Sequence, residues 1–237
     1  MQSFMLLENL TEIKKRMAKA ASRASRSPAD IKLVAVSKNV SPERILEAIE
    51  IGQTVFGENY VQEALDKIPY IKKLTKQEVI FHFIGKLQSN KAKKAAELFD
   101  VIETVDSIKL GLILEKHCAT LYKSLDAYLQ VNIGAEKQKS GVHPQDCEQL
   151  LRGLSQCQYL RIRGLMAMPP FYVDPENVRP FFQHLQRLSN ELTAKGLLGQ
   201  HGPVELSMGI SGDFEVAIEE GSTVVRIGTA LFGARFL

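Results

Sequence analysis

The chain has 237 residues, of which 45% are hydrophobic, and 30 Lys and Arg against 27 Asp and Glu leave a formal net charge of +3. This composition excludes a disordered or fibrous chain, and so small a charge excess does not argue for a nucleic-acid partner. Cys118, Cys147 and Cys157 form no C-x-x-C pair, so neither a zinc site nor a disulfide framework is expected. The N-terminus lacks a signal-peptide pattern and no stretch approaches the ~20 apolar residues of a membrane helix, so a cytoplasmic protein is expected.

Leu6, Leu10, Ile13, Met17 and Ala20 or Ala21 recur at three- and four-residue steps, which predicts an amphipathic helix over about 4–25 with a basic outer face. From Ile31 the pattern changes to short β-branched or aromatic runs alternating with helix-period segments, the signature of repeated βα units. The first strand is IKLVAVS (31–37), and Ser41-Pro42-Glu43 opens its helix with an N-cap and a proline at the first helical position. QTVFG (53–57), VIFHFIG (79–85), DVIETV (100–105) and LDAYLQVN (125–132) follow, the last leading to a helix from about Pro144 to Cys157. LRIRGLM (160–166), PVELSM (203–208) and STVVRIG (222–228) complete eight strands.

Eight such units close into a (β/α)8 TIM barrel of about 200–250 residues, so 1–237 reads as a single domain with an extra N-terminal helix, 1–27, packed on it. An open doubly wound sheet is the alternative, weakened because no G-x-G-x-x-G follows the first strand.

In a barrel the chemistry lies at the carboxyl ends of the strands. Lys38 follows an unbroken apolar strand, and a partly desolvated amine there suits attack on a carbonyl to form a Schiff base; the plainer alternative is a lysine that snorkels outward. Ser207-Met208-Gly209-Ile210-Ser211 ends strand seven with hydroxyls and a permissive glycine, and Gly228-Thr229 opens the last helix with amides that suit a phosphate; ordinary turn and cap residues are the alternative. An amine and a phosphate cradle in one mouth imply a phosphorylated carbonyl compound, either pyridoxal 5'-phosphate as cofactor or a sugar-phosphate aldolase substrate. Arg226, ending strand eight, could face a pyridine nitrogen and weaken the ring as an electron sink, or pair with a barrel carboxylate such as Glu205 or Glu58.

The runs LVAVSK (33–38), FGENYVQEA (56–64), FHFIGKLQSNK (81–91), VNIGAEKQKSG (131–141), RGLMAMP (163–169) and LSMGISGDFEVAIEEGSTVVRIGTALFGAR (206–235) resemble the YggS/PROSC family of pyridoxal phosphate homeostasis proteins. The resemblance spans nearly the whole chain and implies a barrel like the N-terminal domain of alanine racemase. It implies that Lys38 forms the internal aldimine, that Arg226 faces the ring nitrogen, and that Asn59 lies beside the ring. It places Ser207, Gly209, Ser211, Gly228 and Thr229 in the phosphate motifs. Two departures from the family pattern are Phe81, where many members carry tryptophan, and Lys86 after His-Phe-Ile-Gly.

A racemase needs a second acid/base group opposite the lysine, supplied in alanine racemase-like enzymes by a tyrosine of an additional β domain from a partner subunit. The chain ends at Leu237, directly after the eighth unit, which together with Arg226 favours binding, buffering or delivery of pyridoxal phosphate over turnover of a substrate. A small amino-acid racemase is the alternative, with Tyr60, His82 or Asp106 as a weak second base. A nucleic-acid or partner-binding module would use Lys14, Lys15, Arg16, Lys19, Arg23 and Arg26 with Lys91, Lys93 and Lys94, but no aromatic platform is interleaved with these charges. The expected partners are the cofactor itself and apoenzymes that receive it, with the chain a monomer or weak dimer.

Overall fold

The computed structural model describes residues 2–136 and 138–233. Lys137 and the Ala234-Arg235 end of the last resembling run, like the rest of the C-terminal tail, lie outside the described residues. In chain order the elements are α1 (Gln2–Arg23), β1 (Lys32–Val36), α2 (Pro42–Glu50), β2 (Val55–Glu58), α3 (Val61–Leu74), β3 (Ile80–Phe83), α4 (Ala92–Leu98), β4 (Val101–Val105) and α5 (Ile108–Leu121). The second half holds β5 (Leu125–Val131), α6 (Cys147–Leu154), β6 (Leu160–Ala167), α7 (Arg179–Ala194), β7 (Glu205–Ser207), α8 (Phe214–Glu219), β8 (Val224–Ile227) and α9 (Thr229–Phe232). The strands pair in parallel in sequence order and β8 returns to β1, so the sheet is a closed barrel and not an open doubly wound one.

Local chemistry accounts for the principal boundaries. Ser41 caps α2 by accepting from the Arg44 amide, and Pro42 occupies the first turn, where its missing N–H costs nothing. The helix expected from Pro144 to Cys157 is divided into a 3-10 turn, Pro144–Asp146, and the shorter α6. Strand β7 is shorter than its sequence run at both ends, and at the first of them Pro203 has no amide to give a ladder.

Alternation along each strand sorts the residues into two cores. Outward-facing Ala35, Phe56, Phe81, Ile102, Leu129, Leu165 and Ile227 join the helices in a large apolar layer. Inward-facing Val34, Val101, Tyr128, Met166 and Val224 form a small apolar plug. The same phase turns His82 of β3, Glu103 of β4, Ser207 of β7 and Arg226 of β8 into the barrel, where all four are buried.

Helix α1 lies against α8 and α9 through Leu6, Leu10, Ile13 and Met17. Part of its basic face is spent on the barrel: Arg16 pairs with Glu215 at 2.7 Å and Arg23 with Glu219 at 2.5 Å. Just beyond the helix, Arg26 donates to the carbonyls of Ile218 and Ser222, each at 2.8 Å. Lys14, Lys15 and Lys19 remain exposed. No helix among the described residues is long and apolar enough to cross a membrane. The three cysteines are free, and burial pushes the thiols of Cys118 and Cys147 up to about 11 and about 12.

Candidate functional site

At the carboxyl mouth of the barrel lies a cavity of about 400 Å³ lined by Val36, Lys38, Asn59, Ile84, Gly85, Met168, Ile210, Ser211, Arg226, Gly228 and Thr229. Six of the eight residues singled out in the sequence therefore meet in one space: Lys38, Asn59, Ser211, Arg226, Gly228 and Thr229. Ser207 and Gly209 do not line it. Ser207 is fully buried, bonded to Glu103 and Arg226. Gly209 takes a φ of +96°, and a Cβ there would stand 2.6 Å from the Ala217 Cβ, so it serves a tight turn.

The loop that presents Lys38 is held from both sides. Buried Lys67 donates to the Ser37 carbonyl at 3.1 Å, to Glu58 at 3.2 Å and to Glu63. Glu63 in turn accepts from the Asn39 amide at 2.8 Å, and Ser37 Oγ donates to Glu58 at 2.6 Å. Asn39 sits at φ +58°, a left-handed conformation that asparagine tolerates better than most residues. Burial pushes the Glu58 carboxyl up despite its bonds to Ser37 and Lys67.

Asn59 approaches the β3 loop so closely that a Cβ on Gly85 would stand 2.1 Å from the Asn59 carbonyl oxygen. The Asn59 side-chain oxygen is buried and unpartnered among the described residues. Across the cavity, Ser211 Oγ accepts from the amides of Gly228 at 3.3 Å and Ala230 at 3.4 Å. These are long, weak bonds that an incoming anion could exchange for shorter ones. The α9 helix spans only Thr229–Phe232, so its amides matter more than any macrodipole.

Arg226 pairs with neither Glu205 nor Glu58. Its guanidinium donates to Ser207 Oγ and, at 2.9 Å, to the Ala167 carbonyl, and lies 3.5 Å from Glu103 Oε2. Glu205 instead accepts from Tyr128 at 2.6 Å and Lys32 at 3.1 Å. Burial would raise the Glu103 carboxyl, but the His82 hydrogen bond, the Arg226 charge and the Ser207 hydroxyl together hold it below the usual carboxylate range. Sequence reasoning missed Glu103 because its position says nothing of its partners until the sheet closes. Of the three weak-base candidates, none lines the cavity: Tyr60 is exposed, His82 lies inside the barrel, and Asp106 lines a separate cleft with Asp146.

The Lys38 amine, the unpartnered Asn59 side-chain oxygen, the hydroxyls of Ser211 and Thr229, and the Arg226 cation between apolar walls fit an aromatic aldehyde carrying a phosphate. Comparison with known proteins points the same way. Residues 9–236 match the family model described as alanine racemase, N-terminal domain. The chain is 40% identical over 231 residues to a protein of Escherichia coli strain K12 named pyridoxal phosphate homeostasis protein, covering 97% of each. A protein of the same name from Aquifex aeolicus strain VF5 is also 40% identical, over 96% of this chain and 97% of its own. The solved structure of PipY from Synechococcus elongatus PCC7942 with PLP bound superposes with a TM-score of 0.79 at 39% identity, covering 92% of this chain and 100% of that one. Alanine racemase of Clostridium difficile 630, at 14% identity and TM-score 0.73 over 97% of this chain and 56% of that one, shares the fold. With a family model matched over nearly its full length and relatives at 40% identity, the chain belongs to the alanine racemase N-terminal domain family, together with the pyridoxal phosphate homeostasis proteins.

Proposed function

We propose that the protein binds pyridoxal 5'-phosphate in the carboxyl-mouth cavity and serves intracellular homeostasis of that cofactor, holding it and releasing it to apoenzymes in the cytoplasm. The observation that supports this reading best is the meeting of Lys38 with Asn59, Ser211, Arg226, Gly228 and Thr229 around one cavity of about 400 Å³. When bound, the cofactor supplies an aldehyde that a lysine amine attacks reversibly. Lys38 is the residue for that attachment, half-buried at the end of β1 and held by the Ser37 and Asn39 contacts. The Ser211 and Thr229 hydroxyls and the Gly228 amide are donors for the phosphate. Asn59 lies beside the ring, and Arg226 presents a permanent cation to it. Ser207 and Gly209 support this site from below, the first through Arg226 and the second by shaping the turn to Ser211.

One feature favours a carrier over the racemase alternative. The cavity lining holds no carboxylate, histidine or tyrosine among the described residues, and a guanidinium does not give up its proton at neutral pH. Lys38 is then the one lining side chain suited to exchanging a proton with a substrate.

Borohydride reduction of the loaded protein followed by peptide mass spectrometry is expected to place the cofactor on Lys38, and Lys38→Ala is expected to lose the visible absorbance band. Cofactor found on another lysine would overturn this assignment. Solvent deuterium entering the α-position of an added amino acid at a catalytic rate would favour the racemase.

A further inference from the structure

Arg226 is buried at the floor of the cavity, and a buried guanidinium is costly unless its charge is compensated and its direction fixed. The barrel supplies both through a chain of inward-facing side chains. Arg226 donates to Ser207 Oγ, and Ser207 donates onward to Glu103 Oε2 at 2.6 Å. The other oxygen of Glu103 meets His82 Nδ1 at 2.6 Å. Because Glu103 is held in its charged form, Nδ1 carries the proton and donates. The remaining nitrogen, Nε2, is buried and without a partner among the described residues, at the edge of the polar cleft that closes the opposite end of the barrel.

Resting on the proposed cofactor site, we propose that Glu103 and His82, which lie outside the cavity lining, are positioning residues for cofactor binding: Glu103 compensates Arg226 across 3.5 Å and orients it through Ser207, and His82 fixes Glu103. The directions of the hydrogen bonds make this more specific than general packing. Each donor in the chain has an acceptor, and the sequence ends on a carboxylate whose two oxygens are both engaged. Removing the charge of Glu103 while keeping its shape leaves Arg226 a buried cation held by the Ala167 carbonyl and neutral partners alone, so its charge is less compensated and its direction less firmly set. Removing the Nδ1 donor of His82 frees Glu103 to rotate, and Ser207 loses its fixed acceptor.

The test compares wild type with Glu103→Gln, Ser207→Ala, His82→Leu, His82→Asn and Arg226→Gln, each loaded with pyridoxal 5'-phosphate. Three quantities are measured: the dissociation constant, the visible absorbance maximum across pH, and Lys38 labelling by borohydride. Glu103→Gln is expected to keep labelling on Lys38, weaken binding roughly tenfold, and move the pH midpoint of the absorbance change in the same direction as Arg226→Gln. The Glu103→Gln, Arg226→Gln double variant is expected to add little to either single change, as members of one network do. His82→Leu should follow Glu103→Gln, whereas His82→Asn, which keeps a donor near the Nδ1 position, should restore most of the wild-type profile. If Glu103→Gln does not fold, Ser207→Ala carries the test, since it removes the bridging hydroxyl while leaving both charges and their direct 3.5 Å contact, and is expected to shift the profile in the same direction by less. Spectra and affinities that superpose on wild type, with Lys38 labelled, would overturn the inference and leave the site standing. A wild-type protein that is not labelled on Lys38 would overturn the site reading and the inference together.

Discussion

The most exacting residue near the cavity is Lys67, which carries a buried positive charge between Glu58, Glu63 and the Ser37 carbonyl. Lys67→Met removes the cation and leaves the carboxylates facing each other. The expected loss is about 3 kcal/mol of unfolding free energy, measured by urea titration, because breaking a buried ion pair exposes the uncompensated partner. Part of that loss returns on acidification, since Glu58 already sits above the usual carboxylate range and takes up a proton readily. The same variant should slow attachment of pyridoxal 5'-phosphate to Lys38, as the Ser37 carbonyl loses its donor and Glu63, which holds the Asn39 amide, loses its ion pair. Residue chemistry was legible in the sequence wherever a strand end placed a polar group after an apolar run, as with Lys38, Asn59 and Arg226. Glu103 and Lys67 were not: Glu63 lies one helical turn from Lys67, but the Ser37 carbonyl that gives Lys67 its role stands 30 residues away, and Arg226 stands 123 residues from Glu103, contacts that only the folded barrel makes.

Helix α1 is the element whose contribution divides most clearly between packing and charge. Leu10 is buried against the barrel, and Leu10→Ala is expected to cost about 2–5 kcal/mol, the range for a truncated core leucine. Arg16 and Arg23 pair with Glu215 and Glu219, but their side chains are 37% and 44% exposed, so each pair should contribute under about 1 kcal/mol in a double-mutant cycle. Glu219 also meets Arg179 at 2.7 Å, and Arg179 meets Glu220 and Glu176 from the first turn of α7. A network of this kind ties α1, α8 and α7 together. The three-and-four spacing of Leu6, Leu10, Ile13, Met17 and Ala20 or Ala21 identified α1, and Ser41-Pro42 marked the start of α2. The short α8, six residues between two glycine-containing turns, offers too little periodicity to read in advance.

At the scale of the whole molecule, this barrel differs from one filled only with branched aliphatic layers: its axis holds His82, Glu103, Ser207, Arg226, Tyr128 and Glu205. Burial would raise the carboxyls of Glu103 and Glu205, yet their hydrogen bonds and nearby cations keep both depressed. A depressed carboxyl adds stability that is present above its unfolded-state value of about 4.3 and is lost as pH falls toward its folded value. Glu58 and Asp213, raised chiefly by burial, work in the opposite sense: their contribution favours folding at low pH and is lost as pH rises through their folded values. Urea midpoints across pH 7 to 3 should therefore fall below about pH 4.3, and Glu103→Gln should flatten that fall. The closed eight-strand architecture was legible because the βα period repeats along the chain. The polar axis was not, since alternation assigns a side to each residue without saying which residues share a layer.

The hydroxyl of Ser211 already serves the two amides at the turn into α9. A phosphate that took over those amides, with the Ser211 hydroxyl turned to donate to it, would gain only the difference between two sets of bonds, less than a newly made set would give. On the proposed reading, such an exchange would leave the grip moderate and departure easy, as a store for onward transfer requires.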